Sequence, residues 1–185
     1  VTDDSVKDSG STVNELDKAN SSVTTGGFTT NCESVTDTTD EQKKNANSIF
    51  KYYAANPSLL TNLGVSGLDA TTDDNSKIAV QVDGLLSLDL NPSDEQKKAI
   101  DSGEGADVNI TGDGITFDDG SQYLVVHEST ERAGTFDTLV VNASNNALDF
   151  NLEDLSPVAI AKISVVTVPV SDSSVSAPET ETAPE

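Results

Sequence analysis

Pro157-Val158-Ala159-Ile160-Ala161-Lys162-Ile163-Ser164-Val165-Val166-Thr167-Val168-Pro169 is the stretch on which the fold turns. Between its two prolines nearly every residue is apolar or β-branched, on odd and even positions alike. A strand with one wet face alternates, whereas one apolar on both faces is buried on both. The stretch therefore reads as an interior strand, hydrogen-bonded on both sides for most of its length. A long β-branched edge would be a template for aggregation. Pro157 stands at the start of the strand, where a missing N–H is tolerated. Leu148–Leu152, joined to it by Glu153–Pro157, is expected among its neighbours, as a hairpin partner or in a facing sheet.

Outward from this strand the period stays at two. Leu148, Phe150 and Leu152 alternate with Asp149 and Asn151; before them come Phe136–Val141, Tyr123–His127, Ile115 and Phe117, Val108 and Ile110, Leu86, Leu88 and Leu90, and Ile78, Val80 and Val82. Asp119-Gly120, Ala133-Gly134 and Asn145-Asn146 supply turns. Short strands at this spacing predict an antiparallel β-sandwich over 65–170. A helix over Ser93–Asp101 interrupts them, with Ser93 and Gln96 as a capping box. Upstream, Ala46, Ile49, Phe50 and Tyr53 mark one face of a helix within Asp40–Ala55, capped by Thr39 with Gln42. Asn56-Pro57 ends it, and Pro57 opens a second helix carrying Leu59, Leu60 and Leu63, stopped at Gly64. This hairpin over 39–64 is expected to pack on the sheet. The fold class is thus mainly β with minor α. Thr39–Lys44 (T-D-E-Q-K-K) and Ser93–Lys98 (S-D-E-Q-K-K) repeat over six residues; acids in a first turn with lysines behind them complement the helix dipole, so the two are read as independent helix starts.

The chain has 185 residues, 10 Lys and Arg against 32 Asp and Glu, and a net charge of −22. That charge disfavours nucleic acid, whose binding needs a basic face, and anionic lipid. One cysteine, Cys32, excludes an internal disulfide framework and a cysteine-built zinc site. No apolar run is long enough to insert in a membrane. Residues 1–38, rich in Ser, Thr and acids without sustained periodicity, read as a disordered acidic leader, and 171–185 (SDSSVSAPETETAPE) as an acidic Pro/Thr linker. A start at Val1 with no Met in the chain reads as processing, a signal peptide having been removed. Long-range repulsion predicts a monomer.

Several residues invite a chemical role. His127, the lone histidine, could be a general base beside a carboxylate, but no nucleophile motif accompanies it, and a packed or surface strand histidine is the reading adopted. The loops Asp69–Asp74 and Asp113–Asp119 offer oxygens for calcium without the spacing of an EF-hand, and read as solvated turns. Lys162 in the most apolar strand could be buried and paired, or form an isopeptide bond with Asn; an exposed or snorkelling lysine is the reading adopted. Asn20, Asn109 and Asn142 begin glycosylation sequons that matter only in a eukaryotic secretory host. No catalytic, cofactor-binding or metal-binding residue is assigned, and no cofactor is expected.

Tyr123-Leu124-Val125-Val126-His127, Gly134-Thr135-Phe136, Ala147-Leu148-Asp149-Phe150 and Ser156-Pro157-Val158-Ala159-Ile160, in that order, resemble a recurrent module of secreted or wall-anchored surface proteins of anaerobic Gram-positive bacteria. The resemblance covers about half of the chain, from Lys77 to Val168. It implies a small β-sandwich without an assigned catalytic role, at an extracellular or cell-wall location. The expectation is a non-enzymatic ectodomain, an adhesive or spacer module whose partner is an extracellular protein or glycan. The alternative is a carbohydrate- or peptide-binding module using the sandwich loops, and an extracellular hydrolase stands below both. A groove of Tyr52, Tyr53, Tyr123 or Phe28 would favour sugar binding, carboxylates gathered around His127 the hydrolase, and a smooth polar surface the spacer.

Overall fold

The computed structural model describes residues 10–16, 27–68, 75–128, 136–155 and 157–169. Over these the chain is mainly β: strands β1 (Thr12–Asn14), β2 (Phe28–Thr30) and β3 (Ser34–Asp37), helices α1 (Asp40–Ala55) and α2 (Ser58–Leu63), strand β4 (Ser76–Asn91), helix α3 (Asp94–Asp101), then β5 (Ala106–Gly112), β6 (Gln122–Glu128), β7 (Phe136–Asn142), β8 (Ala147–Leu152) and β9 (Pro157–Pro169). A six-stranded sheet runs β1-β4-β9-β6-β7, with β3 also paired to β4, and a three-stranded sheet runs β2-β5-β8. Both capping boxes form: the Thr39 and Ser93 hydroxyls accept from the Gln42 and Gln96 N–H groups, and each glutamine reaches back to its cap.

β9 is interior, between β4 and β6. Its pairing with β6 spans Val158 to Ile163, while β4 follows it from Pro157 to Pro169. Pairing on both sides therefore holds for the first half of the strand rather than most of it. Val158 and Ile160 enter one apolar cluster, and Ala159, Ala161 and Ile163 the other. Leu148–Leu152 is not a sheet neighbour: β8 pairs with β5, so Glu153–Pro157 crosses between sheets.

β4 changes face midway. Val80 and Val82 belong to the cluster that holds Phe50, Ala54 and Leu60 of the helices, and Leu86, Leu88 and Leu90 to the cluster shared with β5 and β8. All five have even numbers, so an unbroken pleat would point them the same way. A bulge between Gly84 and Leu86 inserts Leu85 as the extra residue and turns the second half over. Two runs in the sequence are thus one strand of 16 residues. It is packed on one side by the hairpin and on the other by residues of the small sheet.

Three expectations are corrected. The described parts of the 1–38 leader are built into both sheets as β1, β2 and β3. Three or four cross-strand pairs each, found at long sequence separation, replace the local periodicity that the segment lacks. The sheets are not wholly antiparallel, because β1 runs parallel to β4. Ile115 and Phe117 form no strand; Phe117 instead fills the core from a loop, its N–H donating to Asn146 Oδ1 at 2.7 Å. The linker 171–185, the loop Asp69–Asp74, the turn Ala133-Gly134 and Asn20 lie outside the described residues.

Candidate functional site

The pleat of the small sheet sorts its side chains. Val108, Ile110, Leu148 and Phe150 turn into the core, which leaves Asp107, Asn109, Thr111, Asp149 and Asn151 on the other face. Asp107 stands opposite Asn151, and Asn109 opposite Asp149. The amides bond across: Asn151 Nδ2 donates to Asp107 Oδ1 at 2.9 Å and Asn109 Nδ2 to Asp149 Oδ1 at 2.7 Å, while Thr111 Oγ1 donates to Asn109 Oδ1 at 2.8 Å. Asn31, just past β2, extends the ladder, accepting from Asn109 N–H at 3.0 Å and donating to the Asp107 carbonyl at 2.9 Å. Charge-assisted bonds of this kind hold the rotamers in place. Helix α3 stands beside the ladder, and an open trough of about 730 Å³ lies between them, lined by Asn31, Gln96, Ser102, Asp107 and Asn151 among others.

Gln96 ties α3 to the sheet. It is buried, and its Nε2 donates to the Asp107 carbonyl at 3.0 Å and lies 3.7 Å from Cys32 Sγ. Burial pushes the Cys32 thiol above its ordinary pKa, which lowers the thiolate fraction that would react. In α1 the equivalent glutamine is only half-buried and the lysine after it, Lys43, is buried. The Lys43 ammonium donates to Asp37 Oδ1 at 3.0 Å, the Thr38 carbonyl at 2.8 Å and Thr38 Oγ1 at 3.0 Å. All three N–H groups are satisfied, which is what a buried ammonium requires.

His127 is buried at the end of β6, its Nε2 3.1 Å from Asp154 Oδ1. Asp154 belongs to the β8–β9 crossing, so the pair clips that connection to the large sheet. Lys162 is partly exposed, with Nζ 2.6 Å from Asp118 Oδ2. This bond, ahead of all other influences, raises the lysine pKa. The described partner of Nζ is this carboxylate rather than an Asn amide, which makes the pair an ion pair. The Asp118 N–H donates to Tyr123 Oη at 2.9 Å.

The rest of Asp113–Asp119 is pinned separately. Asp113 and Ile115 donate their N–H groups to the Gly27 carbonyl, and Asp119 Oδ1 accepts from Asn145 N–H. Among the described residues no three His, Cys, Asp or Glu side chains gather as a metal site would need. The aromatic residues form two edge-to-face pairs, Tyr52 with Tyr53 and Phe117 with Tyr123, and the four named for a sugar platform differ in burial. Tyr123 is fully buried and Phe28 packs on the core, Tyr53 Oη bonds Thr138 Oγ1 at 2.8 Å, and Tyr52 is exposed. Asn109 is engaged in the ladder, and Asn142 ends β7 exposed.

Sequence reasoning passed over Lys43, Asn47 and the Asn–Asp ladder. A signal for the first two was present: 43, 47, 50 and 54 fall on one helical face, so two polar residues interrupt an apolar stripe. The ladder had none, because strand pairing alone sets Asp107 against Asn151. No family model, curated protein or solved structure matches this chain. Among the described residues no helix is long and apolar enough to cross a membrane.

Proposed function

We propose that the chain is a non-enzymatic ectodomain module of a bacterial secreted or surface protein, its two sheets stacked as a β-sandwich, and that it acts as an adhesive or spacer unit. The observation that carries this is the outer face of β5 and β8: a polar surface whose side chains are locked on one another rather than aimed at a reaction centre. Such a face is well solvated, and it contacts a partner with little further loss of side-chain entropy. A charge of −22 keeps copies apart and the module clear of an anionic envelope. The resemblance of its strand and turn motifs to wall-anchored surface modules supports the same reading.

A second reading, glycan binding, is favoured by the amides and hydroxyls that line the trough beside α3, Asn31, Ser93, Gln96, Ser102 and Asn151. The aromatics place it second, since sugar faces stack on exposed rings and of Phe28, Tyr52, Tyr53 and Tyr123 one, Tyr52, is exposed. The test is biolayer interferometry of the immobilised chain against panels of extracellular proteins and glycans, repeated with Asp107→Ala/Asn151→Ala. Protein binding lost in the double variant supports adhesion through this face, and glycan binding lost in it supports the second reading. Turnover of a panel member would overturn both.

A further inference from the structure

We infer that the groove between the edge of β4 and helix α1 is a peptide-recognition groove, occupied within one chain by residues 11–16 and open to the same segment of a second copy. This goes beyond the adhesive or spacer reading and does not rest on it. Strand β1 is the one parallel strand among the described residues, and it pairs over only Thr12–Asn14 with Gln81–Asp83. Around this short ladder nearly every position meets a receptor on the rest of the fold. The Asn47 side chain, buried within α1, accepts from the Leu16 N–H at 2.8 Å and donates to the Leu16 carbonyl at 3.1 Å. It reads the backbone as a neighbouring strand would, continuing the ladder from a helix. The Leu16 side chain is 5% exposed and enters the cluster of Phe50 and Val82.

Charged and polar side chains set the register. The Asn14 amide donates to Asp83, Glu15 pairs with Lys51, and Ser11 Oγ accepts from the Val80 N–H at 3.2 Å. Gly84 allows the close approach: a Cβ there would lie 3.0 Å from both Leu16 N and Leu16 Cγ, and 3.1 Å from the Asn14 carbonyl. The site thus has a backbone reader, an anchor pocket, three polar register marks and a cleared path. These are the parts of a strand-addition site.

The occupant is the segment of a second copy for a topological reason. Ten residues, 17–26, separate Leu16 from Gly27 ahead of β2 in the other sheet. A segment supplied by another chain makes every contact that its own makes. Exchange is therefore opposed by the translational and rotational entropy lost when two chains associate and by repulsion between acidic chains. Salt weakens the second term.

The experiment uses two full-length variants. Leu16→Asp spoils the donor segment and leaves the groove, while Gly84→Val spoils the groove and leaves the donor. Each is expected to be monomeric alone. Mixed at high protein concentration and high salt, they are expected to form a one-to-one heterodimer, read by size exclusion with light scattering and by differential labels. Two folded variants that stay monomeric when mixed overturn the inference. The second measurement adds a synthetic peptide of residues 10–17 to the Leu16→Asp chain. Binding by fluorescence anisotropy, weakened at least tenfold when the peptide carries Leu16→Ala, supports the groove. If Leu16→Asp leaves the chain unfolded, recovery of the folded signal on adding peptide supports it equally. A peptide that neither binds the folded variant nor rescues an unfolded one overturns it.

Discussion

Deletion of Leu85 removes one half-buried residue and is expected to unfold the chain. The extra residue of the β4 bulge sets which face Leu86, Leu88 and Leu90 present. Without it the pleat is continuous, and one half of the strand must turn over relative to the other. Leu86, Leu88 and Leu90 are each no more than 1% exposed. Loss of their burial costs about 1.5–3 kcal/mol apiece, or about 5–9 kcal/mol together. Asp89 would turn toward the core, and Ser87 would lose the hydrogen bond that it accepts from Thr38 Oγ1 at 2.7 Å. The total rivals the entire stability of a domain this size, about 5–15 kcal/mol. The assay is urea unfolding followed by circular dichroism, with Leu85→Ala as the control that keeps the residue count. The control is expected to cost less than about 2 kcal/mol, below the usual range for a fully buried leucine. A deletion variant with the same midpoint as the control would refute the claim that the bulge decides the facing.

Phe50→Ala should lower stability by about 3–5 kcal/mol, since Phe50 is fully buried between α1 and the large sheet; a neutral effect on the urea midpoint would mean the hairpin is only loosely attached. Cys32 should react with a disulfide reagent at pH 8 more slowly than a free thiol, because burial raises its pKa, and at the free-thiol rate once unfolded in urea. Lys162→Met should be mildly destabilising at neutral pH and cost nothing in strong alkali. The folded-state lysine pKa is raised by Asp118, so the bond contributes below the ordinary lysine value and is lost as pH climbs through the raised one. Unfolding midpoints of the two proteins that remain apart in strong alkali would count against that pairing.

The sequence by itself determined what depends on near neighbours along the chain. Two capping boxes, the break at Asn56-Pro57, the left-handed stop at Gly64 and the turn at Asn145-Asn146 all stand where residue type and spacing put them. The burial of the first half of β9 on both faces was legible for the same reason, because a pleat exposes its parity in the order of residues. Tertiary structure decided everything that rests on partners far apart in sequence. Strands of three or four residues carry too little local signal to be read, so β1, β2 and β3 appear only once β4 and β5 supply their hydrogen bonds. One hexapeptide could bury Lys43 in one helix and Gln96 in the other, because the cap is local while the buried face is chosen by what the helix lies on. Asp107 meets Asn151 across 44 residues, and Asn47 meets Leu16 across 31. No pattern within either segment names its partner; register between strands and packing of helix on sheet do.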